Sequence, residues 1–237
     1  MLHNRGSFET IEEQINRVMA NLFLRNLFTK LATSRFVFES VEAKSVYLWN
    51  SVINGYVKNH DFRQALALFR EMGRNGMLPD DYTLATVFKV FGELEDLVSG
   101  KLIHRKGIRI GFVSDVVVGN SLMAMYCGCG EFGDAVKVFD ETRHRNVGSF
   151  SVVISGCAAL ENCNSTSHDD LSNFFLRMQC EGFKADAFTV ASLLPLCCGD
   201  TGKWDYGREF HCYVVKNGLD LKMDSDVHLA PQKLAVC

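Results

Sequence analysis

Proline is scarce in this chain, with Pro79, Pro195 and Pro231 its only three in 237 residues, so long stretches are free to run as helix. Long apolar runs are missing as well. The nearest approach, Val18 to Phe28, is interrupted by Asn21, Arg25 and Asn26 and falls short of the roughly 18 residues that a membrane-spanning helix needs; no membrane partner is expected. There is no basic excess: the formal net charge is −3, which argues against function by broad neutralisation of phosphates, so any nucleic-acid contact must rest on local groups. The amino-terminal residues set Glu9, Glu12 and Glu13 against Arg5 and Arg17, unlike the Arg- and Ser-rich, acid-poor composition of an organelle transit peptide. A secretory apolar segment is also lacking. The nine cysteines, of which Cys157, Cys197, Cys198, Cys212 and Cys237 lie in or beside apolar runs, therefore read as reduced small hydrophobes and not as a disulfide framework.

What is present is 47% hydrophobic residues and nineteen glycines scattered at intervals, a composition of many short helices closed by tight turns. The chain is also internally repetitive. Displaced by 70 residues, it superimposes Asn50 on Asn120, Tyr56 on Tyr126, Ala65 on Ala135 and Phe69 on Phe139, while Leu66 and Leu68 meet Val136 and Val138. A second set interleaves with the first: Thr83 meets Thr189 at a displacement of 106, and Gly100, His104 and Gly111 meet Gly207, His211 and Gly218 at 107. Within one unit, Trp49, Val52, Ile53 and Tyr56 share one helical face, and Ala65, Leu66, Leu68, Phe69 and Met72 share another. Asn59 and His60 mark the turn between them; Gly76 and Pro79 end the second helix. A helix pair of this size cannot bury its own apolar face, and stacking on its neighbours does so.

The segment "VYLWNSVINGYVKNHDFRQALALFREMGRNGMLPD" resembles the 35-residue unit of pentatricopeptide repeat proteins, and the mixture of unit lengths resembles the plant class with standard, long and short repeats. The resemblance implies an all-α fold, a right-handed α-solenoid of stacked antiparallel helix-turn-helix repeats. It divides the chain into a shortened short-type repeat within residues 1–45, a standard repeat 46–80, a long repeat 81–115, a short repeat 116–146, a degenerate standard repeat with an insertion 147–186, a long repeat 187–222, and a truncated start with a divergent tail 223–237. Asn26 and Phe38 are twelve apart where Asn120 and Phe139 are nineteen apart, so the first repeat is expected to lack seven residues and to expose Phe28 and Phe36. The tail "APQKLAVC" abandons a repeat begun at "SDVHL", and a truncated product is expected.

In that family the fifth and last residues of a unit face one base of single-stranded RNA. An amide or hydroxyl there can bond a base edge, and a terminal Asp can accept from the ring N–H of uracil or guanine. Carried over by position, Asn50 with Asp80 resembles a uracil-reading pair, Asn120 with Asn146 a pyrimidine-reading pair, and Ser151 with Asp186 a purine reader favouring guanine; Ala85 and Ala191 of the long repeats cannot discriminate. The second residue sandwiches a base, as Tyr47 and Val117 would, and a Lys at the thirteenth position lies near phosphate, as Lys58 would. Gly148, Gly128 and Ala159 depart from these patterns. Read without the family, Asn50, Asn120 and Ser151 are polar residues early in a helix, and Asp80 and Asp186 serve equally well as N-caps of the following helix.

The resemblance implies a role in organellar RNA editing, splicing or stability, in mitochondrion or chloroplast, with other RNA-processing proteins as candidate partners. The alternatives are a helical scaffold for protein partners and a non-functional product. No enzyme, metal or cofactor is expected: zinc deaminase chemistry needs His-x-Glu and Cys-x-x-Cys, and Cys127 and Cys129, or Cys197 and Cys198, are spaced for neither. His104 and His211 recur in the long repeats, which favours packing over ligation.

Overall fold

The computed structural model describes residues 35, 38–41, 44–110, 115–161, 168–197, 213, 215 and 216. Residues Phe28, Phe36 and His211, and the tail beyond position 216, lie outside the described residues. The described part is helical, with no strand. It falls into two compact units, Met1–Phe112 and Val113–Cys237, each built of helix pairs.

In the first unit, α1 (Val46–Lys58) opens on Ser45, whose hydroxyl accepts from the Leu48 backbone N–H, and buries Leu48, Trp49, Val52, Ile53, Tyr56 and Val57. Trp49 meets the edge of Phe38 with ring centres 4.7 Å apart at 78°, a favourable T-shaped contact. The chain reverses over three residues: His60 takes a left-handed φ of 57°, and Asp61 caps α2 (Phe62–Arg74) by accepting from Gln64 N–H. Ala65, Leu66, Leu68 and Met72 line the buried stripe of α2. Gly76, at φ 73°, ends it in the left-handed conformation that glycine adopts without steric cost, while Met77 N–H bonds the Met72 carbonyl at 3.1 Å. The second pair is α3 (Asp81–Glu93) and α4 (Leu97–Ile110), joined by a turn through Glu95 at φ 53°.

The second unit contains α5 (Val116–Gly128), α6 (Phe132–Glu141), α7 (Val147–Glu161), α8 (His168–Cys180) and α9 (Ala187–Cys197). Asp115 caps α5 by accepting from Val117 and Val118 N–H. Helix α7 packs against α5, α6, α8 and α9, which explains why "VGSFSVVISGCAALE" is apolar almost all round. Phe139 is fully buried at the centre of an edge-on cluster with Phe150 at 5.0 Å and Phe174 at 5.7 Å. The guanidinium groups of Arg145 and Arg177 lie 4.8 and 5.0 Å from its ring centre, with Arg177 paired to Asp140 at 2.9 Å and to Glu181 at 3.3 Å. Cations over an aromatic face are attracted by its quadrupole, so charge and ring hold the pairs α5–α6 and α7–α8 together.

Helices α5 and α7 come close together at Gly156. A Cβ on this residue would lie 2.3 Å from Cys127 Sγ and 2.9 Å from its Cβ, so only glycine lets α5 and α7 meet here. Gly156→Ala is therefore expected to destabilise the chain by about 1–3 kcal/mol, measured by urea unfolding, with partial recovery when Cys127→Ala removes the thiol. Burial, with Cys157 nearby, pushes the Cys127 thiol from 9.0 up to about 12. The folded state thus favours the neutral thiol. Stability contributed by this group is complete below pH 9 and declines as pH rises towards about 12; below pH 9, Cys127 should resist thiol reagents that label exposed Cys180. Rapid labelling of both would contradict this.

Candidate nucleic-acid interface

Each first helix must satisfy the backbone N–H groups of its opening turn, and the last residue of the preceding segment does so. Asp80 caps α3 by accepting from Thr83 N–H at 2.8 Å, and Asp80 N–H donates back to Thr83 Oγ1 at 3.2 Å, a reciprocal capping box. The same carboxylate accepts from Asn50 Nδ2, with both oxygens at 2.9 Å. Thr83 Oγ1 lies 2.5 Å from Asn50 Oδ1 and 2.7 Å from Asp80 Oδ1; its single proton serves one of them at a time. Asn50 and Asp80, thirty residues apart in sequence, are therefore in direct contact, with Thr83 as the third member. Capping and pairing, alternatives at the level of sequence, are done by one carboxylate.

The same figure recurs twice. Asn146 Oδ1 accepts from Ser149 N–H at 3.0 Å, and Ser149 Oγ donates to Asn120 Oδ1 at 2.7 Å. Asn120 Nδ2 reaches Asn146 Oδ1 only at 3.4 Å, so Ser149 is the stronger link between them. In the third network Asp186 Oδ1 accepts from Thr189 N–H at 2.8 Å and from Thr189 Oγ1 at 2.7 Å. Ser151 Oγ lies 2.6 Å from Thr189 Oγ1 and donates to the Val147 carbonyl at 2.8 Å. Ser151 is joined to Asp186 through Thr189, and it is buried.

The three hydroxyls at the centre, Thr83, Ser149 and Thr189, are fully buried, where an unmade hydrogen bond is costly. Helical periodicity does not single them out, although Thr83 coincides with Thr189 in the internal repeat. Apolar side chains stand in solvent at the second helical positions: Tyr47, Val117, Tyr82 and Phe188 are 48%, 60%, 51% and 60% exposed. Nothing in the helical pattern singles out the last two either. Burial raises the Tyr82 phenol above its ordinary value, with Tyr47 and Asp80 adding to the shift; Tyr47 stands one helical turn before Asn50, and Tyr82 two residues after Asp80. At Gly148 a Cβ would lie 3.1 Å from Asn146 Oδ1 and 3.2 Å from Asn120 Nδ2, so the absent side chain leaves room against the amide pair. Lys58 is exposed at the carboxyl end of α1. Among the described residues no three His, Cys, Asp or Glu side chains are grouped to hold a metal, and no helix is long and apolar enough to cross a membrane.

Helix pairs joined at three junctions by a repeated network of an amide or hydroxyl, a buried hydroxyl and a capping Asp or Asn define an α-helical repeat protein with recurring polar sites. Comparison gives the family. Residues 44–93 match the PPR repeat family model and residues 120–147 the PPR repeat model. An Arabidopsis thaliana pentatricopeptide repeat-containing protein is 34% identical over 201 residues, covering 83% of this chain and 34% of its own length. Two others from that plant are named chloroplastic, at 30% identity with 90% of this chain and 24% of theirs covered, and mitochondrial, at 30% with 75% and 37%. The chain thus spans between 24% and 37% of the length of these relatives. The solved structure of the pentatricopeptide repeat protein PPR10 in complex with an 18-nt psaJ RNA element is similar at a TM-score of 0.64 and 18% identity, over 82% of this chain and 29% of that one. The chain belongs to the pentatricopeptide repeat family and has its helical-repeat fold.

Asp80→Ala removes an N-cap, worth about 1 kcal/mol, and takes the acceptor from the buried Asn50 NH₂, at about 1–3 kcal/mol more. Asp186→Ala should cost less, because Ser151 keeps a bond to Thr189. Urea unfolding of the two variants side by side tests this order; equal losses would contradict it.

Proposed function

We propose that the chain binds single-stranded RNA, one base at each polar junction, as a segment of a plant pentatricopeptide repeat protein that mixes standard, long and short repeats. The observation that carries this reading is the Asn50–Asp80 pair with Tyr47 exposed beside it. The Asn50 NH₂, shared between the two Asp80 oxygens, presents one amide and one carboxylate as a unit, and the Asp80 carboxylate keeps acceptor capacity for a base N–H. Tyr47 offers a ring face to the base, and Lys58 supplies a local cation for phosphate without any basic excess overall.

Read from the amino end, the order is uracil at Asn50–Asp80, no discrimination at Ala85, a pyrimidine at Asn120–Asn146, and a purine, guanine over adenine, at Ser151–Asp186, with RNA running 5′ to 3′ alongside. The chloroplastic and mitochondrial names of two relatives support an organelle as its place of action, where a binder of this kind would serve RNA editing, splicing or stability alongside other RNA-processing proteins. The chain's own residues bind and carry out no reaction in this reading.

Fluorescence anisotropy with short RNAs differing only at the first of these bases should rank uracil first. Lys58→Ala should weaken all of them alike and lower the magnitude of the salt slope by about one. Equal binding of adenine and uracil at that position, at moderate salt, rules the assignment out.

A further inference from the structure

Residues of α2 and α4, with Leu84 and Phe91 of α3, enclose a groove of about 670 Å³ in the first unit, a volume in the range of small-ligand sites. Its walls are largely apolar, with Phe69, Leu78, Leu102 and Ile103 among them, and Leu78 and Leu102 stand 69% and 50% exposed. Three cations line it as well, Arg70 and Arg74 one turn apart on α2 and Lys106 on α4, and no carboxylate does. All three are exposed, and among the described residues none is held in an ion pair. Glu71, next to Arg70 in sequence, lies 3.9 Å from Arg35 instead. Gly73 and Gly107 also line the groove, and a Cβ on either would meet nothing within 4 Å; packing does not call for glycine at these places.

The second copy of the same repeat pair shows that the fold does not require these residues. At the displacements of 106 and 107 that align the copies, Arg70, Arg74 and Lys106 become Leu176, Cys180 and Tyr213, and Gly73 and Gly107 become Gln179 and Val214. There Tyr213 lies edge-on to Phe175, the counterpart of Phe69, at 5.3 Å. Its hydroxyl accepts from Ala185 N–H at 2.8 Å, where the first copy has Pro79 with no N–H to offer. The first copy thus carries three cations and two glycines where the second carries no charge and no glycine. We infer that the groove between α2 and α4 binds a free single-chain amphiphilic anion, a phosphate or carboxylate head on an apolar tail, whatever the polar junctions bind. Arg70 and Arg74, four residues apart on one helix face, offer N–H forks that match the oxygens of such a head, and Lys106 adds a third charge from α4. The tail gains by leaving water for the space beside Phe69, Leu102 and Ile103. Neither half suffices alone: bare phosphate leaves the apolar walls wet, and a cationic amphiphile meets three like charges. A groove of this volume takes one chain, which favours a free amphiphile over the two-chain lipids of a bilayer.

The test is calorimetric titration of the whole chain with decyl phosphate, octyl phosphate, inorganic phosphate and decyltrimethylammonium, the amphiphiles below their micelle concentrations, beside sedimentation with anionic phospholipid vesicles. Decyl phosphate should saturate a single site. Octyl phosphate, shorter by two methylenes, should bind roughly tenfold more weakly, and inorganic phosphate and the cationic amphiphile should give no measurable binding. The double variant Arg70→Gln/Arg74→Gln, at exposed positions, should weaken decyl phosphate roughly tenfold, as loss of charge-assisted hydrogen bonds does, and keep the ratio between decyl and octyl. Gly107→Leu keeps every cation and puts a side chain into the empty space, so it should erase the gain from octyl to decyl. Should Gly107→Leu fail to fold, as thermal unfolding would reveal, the double variant and the wild-type ligand series still decide the matter. The assignment is overturned when decyltrimethylammonium or inorganic phosphate binds as tightly as decyl phosphate. It is overturned equally when decyl phosphate does not bind, or when the double variant or a folded Gly107→Leu titrates as wild type. Capture by vesicles without binding of free decyl phosphate also overturns it, in favour of a bilayer surface.

Discussion

The structure turns on one constraint: the first turn of a helix has N–H groups that no residue of that helix can satisfy. In this chain the last residue of one helix pair supplies the acceptor for the first helix of the next, as Asp80, Asn146 and Asp186 do. A residue committed in this way is held at a fixed place and angle at each junction. The side chain beside it, Asn50, Asn120 or Ser151, is tied to the same network, and a buried hydroxyl links the two. Stability and the candidate recognition surface are thereby built from the same hydrogen bonds. The spacing of the polar sites follows from the spacing of the helices they cap.

Around these junctions the apolar packing is ordinary in kind but specific in its close points. The three-residue reversals at His60 and Glu95 hold successive helices together without long loops. Gly156 admits the Cys127 side chain between α5 and α7, and Phe139 is enclosed by two rings and two guanidinium groups. Such contacts leave the second helical positions turned to solvent. Tyr47, Tyr82, Val117 and Phe188 are therefore available to a flat ligand because the core has no need of them.

The helix-pair pattern was legible in the sequence because helical periodicity is a local property: Trp49, Val52, Ile53 and Tyr56 recur at the right intervals whatever surrounds them. The turns at Asn59–His60 and Gly76 were legible for the same reason. The reader positions Asn50, Asp80, Asn120, Asn146, Ser151, Asp186, Tyr47, Val117 and Lys58 were named from family resemblance, and their contacts with RNA stand as a proposal. What pattern could not supply was the state of each pair. The structure brings Asn50 and Asp80 into direct contact, leaves Asn120 and Asn146 only loosely joined, and separates Ser151 from Asp186 by a threonine.

The sequence by itself determined that this chain is a set of repeated amphipathic helix pairs, since period and turn chemistry act over a few residues. Only the tertiary structure decided that Thr83, Ser149 and Thr189 are the centres of their three junctions, because a hydroxyl three residues into a helix is unremarkable until a partner about thirty or more residues away is folded against it. Likewise nothing in the local sequence marks the aromatic residues Tyr82 and Phe188 as exposed. Their exposure is settled by which face of the helix the neighbouring pairs cover, and no local signal carries that information.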